Sequence, residues 1–254
     1  MQNKLPISVL IPTLNEAKNL KELLPLLSWA AEILIVDSFS TDDSATVAAQ
    51  YNSRFLSHQY LNPSAQKNWA ILQCSQSWIL ILDADERPTP ELIEELAAFS
   101  KTNNENNIQA FWIYRENYFL NQKVNYSGWQ KDKVVRFIKK SDCLYHNVNV
   151  HEEINTNNIK VSSLNSKIQH YTYVSLDHFI DKLQRYASWS AMDYEGKTAT
   201  VGFYQLYLKP FFRFFKHYIL QRGFLDGKAG LIIATLMAFG VFLRYAKIYE
   251  NRLK

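Results

Sequence analysis

The first hundred residues alternate unbroken apolar runs with stretches of helical spacing. ISVLI (7–11), EILIVD (32–37) and WILIL (78–82) are mainly apolar at successive positions, the pattern of strands buried on both faces. Between them Leu20, Leu23, Leu24 and Leu27 recur at helical spacing, TDDSATVAAQY (41–51) reads as a helix with acidic residues at its start, and a further helix is expected over 64–76. A short strand is expected near Phe55. Thr89 is placed to cap a helix with Pro90 at its first position. Strand alternating with helix predicts an α/β fold whose parallel sheet is covered on both faces.

The pattern changes over 108–174. FWIYREN, KVVRFIKK and KIQHYTY are strand-like and rich in aromatics, and NNENN (103–107) reads as a polar surface loop. Helical spacing returns near Ser175–Glu195. The last fifty residues are aromatic, basic and apolar. This divides the chain into a main domain over 1–200, whose pattern changes near residue 100, and a helical tail over 201–254.

Charge refines this picture by its location. Of a net charge of +4 over 254 residues, Gln205–Lys254 carries nine Lys/Arg against two acids, which leaves the rest of the chain at −3. The basic balance belongs to the tail, and a nucleic-acid-binding face on the main body is not expected. Cys74 and Cys143 form no CxxC and no metal spacing; they read as reduced thiols of a cytosolic protein. The apolar stretch Ile7–Ile11, ended by Pro12, is too short for a signal sequence.

The chemistry concentrates where WILIL ends. ILILDADERPTP (79–90) runs from a buried strand into Asp83, Asp85 and Glu86, with Pro88 and Pro90 expected to stop further strand. Ligands of parallel α/β sheets bind at the carboxyl ends of strands, and residues two apart in an extended segment share a side. Asp83 and Asp85 can thus aim at one point, where their repulsion calls for a hard cation, Mg²⁺ or Mn²⁺, sharing its shell with water and substrate phosphates. A solvated acidic turn capping the next helix is the alternative. Two further strand ends favour the site: Asp37 closes EILIVD, and PTLNE (12–16) follows the first strand.

ISVLIPTLNEAKNL, EILIVDSFSTDDS and WILILDADE resemble the opening of family 2 glycosyltransferases of the GT-A fold, a Rossmann-like mixed sheet flanked by helices. Within that family the chain is similar to the bacterial group containing lipopolysaccharide core glucosyltransferases. The likeness is strongest over 7–95, weaker over 110–174, and returns at FLDGKAG in the tail. It implies a catalytic domain over 1–200, with a nucleotide-binding half (1–100) and an acceptor half (101–200), and a nucleotide-sugar donor, usually a UDP-sugar. Pro12, Thr13 and Glu16 would line the nucleoside pocket and Asp37 would accept a hydrogen bond from the base. Asp85 would hold the metal, and Asp83, across Ala84, would lie against the ribose or a metal-bound water. Lys67 and Asn68, in AQKNWA, match a segment that reaches the nucleotide in relatives; an exposed helix face is the other reading.

In NVNVHEEI (147–154) the resemblance points to Glu152 as the base for the acceptor hydroxyl, with Glu153 in reserve. His170 aligns with a histidine that completes the metal shell in this fold, and a packed core histidine is the alternative. Gly128-Trp129 resembles the glycine loop beside the donor sugar, against a buried aromatic turn. Arg136 reads as a phosphate contact or a surface ion pair. The resemblance implies an inverting, metal-dependent transfer to a glycan or lipid-linked acceptor in cell-envelope or lipopolysaccharide synthesis. Transfer to a polyprenyl phosphate, a non-catalytic membrane-attached scaffold and a nucleotidyltransferase are the rivals; the last lacks a glycine-rich loop after the first strand.

In the tail, FYQLYLKPFFRFFKHYIL (203–220) interleaves aromatics with Lys209, Arg213, Lys216 and His217. AGLIIATLMAFGVFL (229–243) is uncharged over about 22 Å of helix, short of a hydrocarbon core of roughly 30 Å. The expectation is an interfacial or partly inserted hairpin on the cytoplasmic face of the plasma membrane. A helical subdomain packed on the core, or a homodimer interface through the tail, is the other use of these residues.

Overall fold

The computed structural model describes residues 4–102, 107–146 and 154–253. The first four strands are β1 (Leu5–Thr13), β2 (Ala30–Asp37), β3 (Arg54–Ser57) and β4 (Trp78–Ile81), and they are parallel neighbours in the order β3-β2-β1-β4. β5 (Glu86–Pro88), β6 (Ala110–Phe119), β7 (Gln122–Lys123), β8 (Lys133–Lys139) and β9 (Val161–Tyr173) follow. The sheet continues from β4 through β8, β6 and β9 to β5, with β8 antiparallel to β4 and to β6, β5 antiparallel to β9, and β7 paired back on β6. The expected parallel sheet is therefore the first half of a mixed α/β sheet.

The apolar runs are unbroken because both faces are covered. Alternate residues of β1 enter two separate cores. Ile7, Val9 and Ile11 pack with Leu20, Leu23, Leu27, Leu92 and Leu96, which come from helices α1 (Ala17–Leu23) and α4 (Pro90–Ser100) and the 3₁₀ turn Leu24–Leu27. Leu10 packs with Leu34, Val36, Ile79 and Ile81 against Ala70 and Ile71 of α3 (Pro63–Gln73) on the opposite face. Thr89 caps α4 by accepting the Leu92 N–H at 3.2 Å, with Pro90 next, as its sequence requires.

Two expectations are corrected and one strand is added. The helix read over 41–51 is only α2 (Ser44–Ala49), because Asp42 does not begin a helical turn: its carboxylate accepts from Ala17 N at 2.9 Å and Ser44 N at 3.0 Å, tying two loops together. A short strand not expected from the sequence lies between the DADE turn and the prolines that end it: β5 stops at Pro88, and Pro90 opens α4. Glu86–Pro88 pairs with Ile168–His170 at the margin of the sheet, where a proline lacking an N–H costs no ladder bond. The apolar tail helix is also much longer than its uncharged stretch: α7 runs Gly227–Leu253, 27 residues. At 1.5 Å per residue that is about 40 Å, and it is long and apolar enough by length and composition to cross a membrane.

The chain forms two compact units. The first comprises Met1–Arg115 and Lys133–His170 and holds the cores just described. The second comprises Glu116–Asp132 and Tyr171–Lys254. In it α5 (Leu176–Glu195), capped by Ser175 at the His178 N–H, and α6 (Lys209–Phe215) pack along α7. Its cores join Phe119, Phe179 and Leu183 with Ala229 and Ile233, and Ala191 with Val241, Tyr245 and Ile248.

The amino end of β2 is held by one buried carboxylate. Glu32 accepts from the Ser8 hydroxyl, from Ser75 N at 2.6 Å and from Arg54, whose guanidinium also reaches Gln73 O at 3.0 Å. Burial would raise the Glu32 carboxyl; the Ser75 N–H, the Ser8 hydroxyl and Arg54 outweigh it and hold the group below the ordinary carboxylate range. Its stabilisation is thus full at neutral pH and is lost as pH falls through the lowered value. Glu32→Gln should cost about 1–3 kcal/mol near neutral pH. In urea unfolding, the gap between wild type and variant should narrow as pH falls below the ordinary carboxylate range; a gap independent of pH would contradict this linkage.

Candidate active site

Parallel register aligns three strand ends on one rim. Thr13 of β1 lies opposite Asp37 of β2, Asp37 lies opposite Ser57 of β3, and Leu10 of β1 lies opposite Ile81 of β4. The chain moves outward from β1 to β2 and β3, then returns to the other side of β1 as β4. That reversal makes the carboxyl ends of β1 and β4 the switch point where α/β sheets open a crevice. Thr13, Asp37 and the Asp83–Asp85 turn all belong to this rim.

The loops after β1 and β2 are locked together. Asp37 is buried and accepts from Ser40 N at 2.8 Å and from the Ser40 hydroxyl. Ser40 Oγ in turn accepts from Asn15 N at 2.7 Å, and Asn15 Oδ1 accepts from Thr41 N at 2.8 Å. Glu16 N donates to Ser44 Oγ at 3.1 Å, while the Glu16 carboxylate accepts from Asn19 Nδ2 at 2.6 Å. Pro12 is half-buried and Thr13 buried at the same strand end. Asn15 at φ 56° and Phe39 at φ 63° take left-handed backbone, uncommon for asparagine and costly for an exposed phenylalanine. Both stand in the loops that form the rim.

The DADE turn solves its charge problem with cations from three other elements. Asp83, whose side chain is 35% exposed, pairs with Arg136 of β8 and lies 3.4 Å from Lys67 Nζ of α3. Glu86, fully buried, takes Arg136 at 3.3 Å and Arg115 of β6 at 3.5 Å on one oxygen, and accepts the Asp83 N–H at 3.0 Å on the other. Burial pushes the Asp83 carboxyl upward, but Arg136, then Lys67, Arg115 and His170, override it and hold Asp83 well below the usual carboxylate range. Arg87 closes the back of the turn, donating to Ala84 O at 2.6 Å and reaching Asn19 and Glu22 beyond.

Asp85 faces another partner. Its Oδ2 lies 3.6 Å from Nε2 of His170, which register places opposite Glu86 on β9. The spacing that puts Asp83 and Asp85 on one side in an extended chain does not apply, because residues 83–85 turn. Among the described residues no three His, Cys, Asp or Glu side chains converge as a metal cage. The pair Asp85–His170, one carboxylate and one imidazole, nevertheless suits a hard or borderline cation that takes its other ligands from phosphate and water.

Lys67 is 4% exposed, so it does not lie on the solvated helix face considered above; it lies between Asp83 and the Tyr145 ring, 5.4 Å from the ring centroid. Asn68 makes a two-way clamp on the Tyr145 backbone, accepting its N–H at 2.7 Å and donating to its carbonyl at 3.1 Å. Tyr145 bridges antiparallel to Ile154. Glu152 and Glu153 lie between these two anchors and outside the described residues. Arg136 is a buried ion-pair residue between Asp83 and Glu86.

Gly128 and Trp129 belong to the second unit. There Gly128 has φ 89°, and a Cβ would stand 2.4 Å from Gln221 Oε1, so the position requires glycine. Trp129 packs on Tyr173 at 6.0 Å. The loop is held by the tail: Asp226 accepts from Asn125 N at 2.9 Å, Tyr126 N at 3.0 Å and Ser127 Oγ at 2.7 Å.

Sequence reasoning did not assign Glu86, Arg115 or Arg87 to the site. Glu86 was visible in DADE. The two arginines carried no signal, since Arg115 meets Glu86 from 29 residues away and Arg87 meets Asn19 and Glu22 from 68 and 65 residues away, and only folding joins them.

A family model for glycosyl transferase family 2 matches residues 8–157. The lipopolysaccharide core biosynthesis glycosyltransferase LpsC of Rhizobium meliloti is 31% identical over 261 residues, spanning 98% of this chain and 93% of LpsC. An uncharacterized glycosyltransferase of Rickettsia felis is 28% identical over 257 residues, spanning 98% of this chain and 91% of that protein. Among solved structures, S. aureus TarS 1–349 in complex with UDP covers 97% of this chain and 91% of its own, at 15% identity and a TM-score of 0.47.

If Arg136 is the main cause of the low Asp83 carboxyl, Arg136→Met should raise its titration, read by carboxyl-carbon NMR, and shift acid unfolding to higher pH. The sign follows from linkage: a less depressed carboxylate is lost as a stabiliser at higher pH. An unmoved Asp83 titration would assign the depression to Lys67 instead.

Proposed function

Because the chain belongs to glycosyl transferase family 2 and is a glycosyltransferase, we propose that it transfers a sugar, with inversion and with the help of Mg²⁺ or Mn²⁺, from a nucleotide diphosphate donor to a glycan or lipid-linked acceptor of the cell envelope. A UDP-sugar is the donor we propose. The observation that carries the reading is the rim itself: Thr13, Asp37, Asp83 and the Asp85–His170 pair gather at the switch point of the sheet. LpsC, similar over almost the whole chain, supports a glycan acceptor of the lipopolysaccharide kind.

Each residue has a role that its surroundings support. Thr13, Pro12 and Glu16 line the nucleoside end, where Asp37, an acceptor-only carboxylate with lone pairs beyond those used by Ser40, takes a base N–H. Lys67 and Arg136 hold Asp83 ionised, so that it receives a ribose hydroxyl or a water as a hydrogen-bond acceptor. Asp85 and His170 would hold the cation, which supplies positive charge against the departing diphosphate. Asn68 acts on the acceptor side indirectly by fixing Tyr145, the anchor of the segment that carries Glu152. In the reaction, the acceptor oxygen bonds to the anomeric carbon as its bond to the diphosphate oxygen breaks. The acceptor proton passes to Glu152, with Glu153 in reserve.

We further propose that the protein works on the cytoplasmic face of the membrane. α7 is long and apolar enough for membrane contact, with only a third of its most apolar window buried in protein. The tail also exposes Phe203, Tyr207, Phe211, Phe212 and Leu220 among its basic residues.

Asp85→Ala should abolish transfer with far-UV circular dichroism unchanged; full activity in that variant would remove Asp85 from the metal site. Glu152→Gln should keep donor affinity while turnover falls on the order of 10² or more. Unchanged turnover would pass the base role elsewhere, or indicate an acceptor already anionic, such as a polyprenyl phosphate.

A further inference from the structure

In the second unit a group of cations has, among the described residues, no carboxylate paired with it. Arg213 of α6 and Arg244 of α7 are both half-buried on packed helices. Among the described residues neither forms an ion pair; in the same unit Arg252, by contrast, is paired with Glu195 at 2.8 Å. The Arg244 guanidinium stacks 4.5 Å over the Tyr194 ring, and its Nε is buried without a hydrogen-bond partner. Lys209, one turn before Arg213, donates to Tyr245 Oη at 2.6 Å and lies over the Tyr245 ring at 4.5 Å; it too lacks a carboxylate.

His217 does not neutralise the cluster. Its Nδ1 donates to Ser127 O at 2.8 Å, which leaves Nε2 to accept from Arg213 Nη1 at 3.4 Å. Burial, Arg213 and Lys216 push the His217 ring down, against the Ser127 contact, so it stays neutral at ordinary pH. Burial, then repulsion from Arg244, lowers Arg213 as well. α6 is flanked by two π-helical segments, Tyr204–Leu208 and Lys216–Leu220, a deviation that recurs at functional sites. Holding two guanidiniums near each other, half out of water and without a counter-ion, is unfavourable for the empty protein. A bound anion removes that cost.

We infer that Arg213 and Arg244, with Lys209 beside them, form a binding site for a phosphoryl anion between α6 and α7. The guanidinium fork matches phosphate oxygens, and Tyr194 and His217 fix the orientation of the two forks. A phospholipid headgroup and a soluble phosphoryl group, such as a phosphorylated saccharide, share this chemistry. The exposed Tyr207, Phe211, Phe212 and Phe215 around the cluster favour the headgroup. The site stands apart from the donor-binding reading and does not depend on it.

The test uses the full chain and its thermal unfolding in inorganic phosphate against chloride at equal ionic strength. Phosphate should stabilise the wild type and Asp85→Ala alike, and should not stabilise Arg213→Met/Arg244→Met. Lys228→Met, an exposed charge outside the cluster, should behave as wild type. Arg213→Lys/Arg244→Lys keeps the charge and loses the forks; it should bind phosphate more weakly, and it carries the test if the methionine pair does not fold. Vesicles of phosphatidylcholine with and without phosphatidic acid separate the two sources. A loss of roughly tenfold or more in binding to phosphatidic acid vesicles in the double variant assigns the site to a headgroup. An arginine-dependent phosphate effect with unchanged vesicle binding assigns it to a soluble phosphoryl group. A phosphate effect undiminished in the double variants overturns the proposal, as does a wild type with neither a phosphate effect nor arginine-dependent vesicle binding.

Discussion

Two carboxylates at the end of a buried strand are tolerable only if opposite charge is brought to them, and the first unit of this protein is organised around that requirement. Asp83 and Glu86 would repel each other and resist burial. Arg136 from β8, Arg115 from β6 and Lys67 from α3 converge on them. The mixed half of the sheet thus does more than extend the parallel half: β8 runs antiparallel beside β4 and delivers Arg136 to the turn that β4 opens. With Asp83 and Glu86 satisfied by protein, Asp85 is oriented differently, toward His170 on β9. One tripeptide therefore presents two carboxylates in different electrostatic settings, one held by protein cations and one beside an imidazole.

The backbone of the site was largely legible in the sequence. Unbroken apolar runs announced strands covered on both faces, and the packing of alternate β1 residues into two cores is the physical reason. Thr89-Pro90 announced α4 because a cap and a proline act through neighbouring residues only. Strand-end carboxylates announced the rim for the same local reason: position after a strand fixes position on the sheet edge.

What was not legible depends on contacts between distant residues. Asp42 and Asp43 look like the acidic start of a helix, yet Asp42 bonds to Ala17, 25 residues away, and the helix begins later. Arg136 resembled a surface charge as readily as a phosphate ligand, and only β8 beside β4 shows it buried between two carboxylates. Asn68 read as a nucleotide contact or as part of an exposed helix face; its clamp on the backbone of Tyr145, 77 residues on, left no mark in the sequence. The tail helix outgrew its apolar run because Lys228, Arg244 and Lys247 are compatible with helix; charge ended the hydrophobic pattern without ending the element.

The central claim is that this rim binds a nucleotide-sugar with a divalent cation. Thermal unfolding with UDP-, GDP-, dTDP- and CMP-sugars, each with Mn²⁺ and with EDTA, tests it most directly, because a ligand specific for the folded state raises stability by mass action. The account predicts stabilisation by one nucleotide class, UDP, that disappears in EDTA. Folded protein unmoved by every donor in the presence of Mn²⁺ would contradict it.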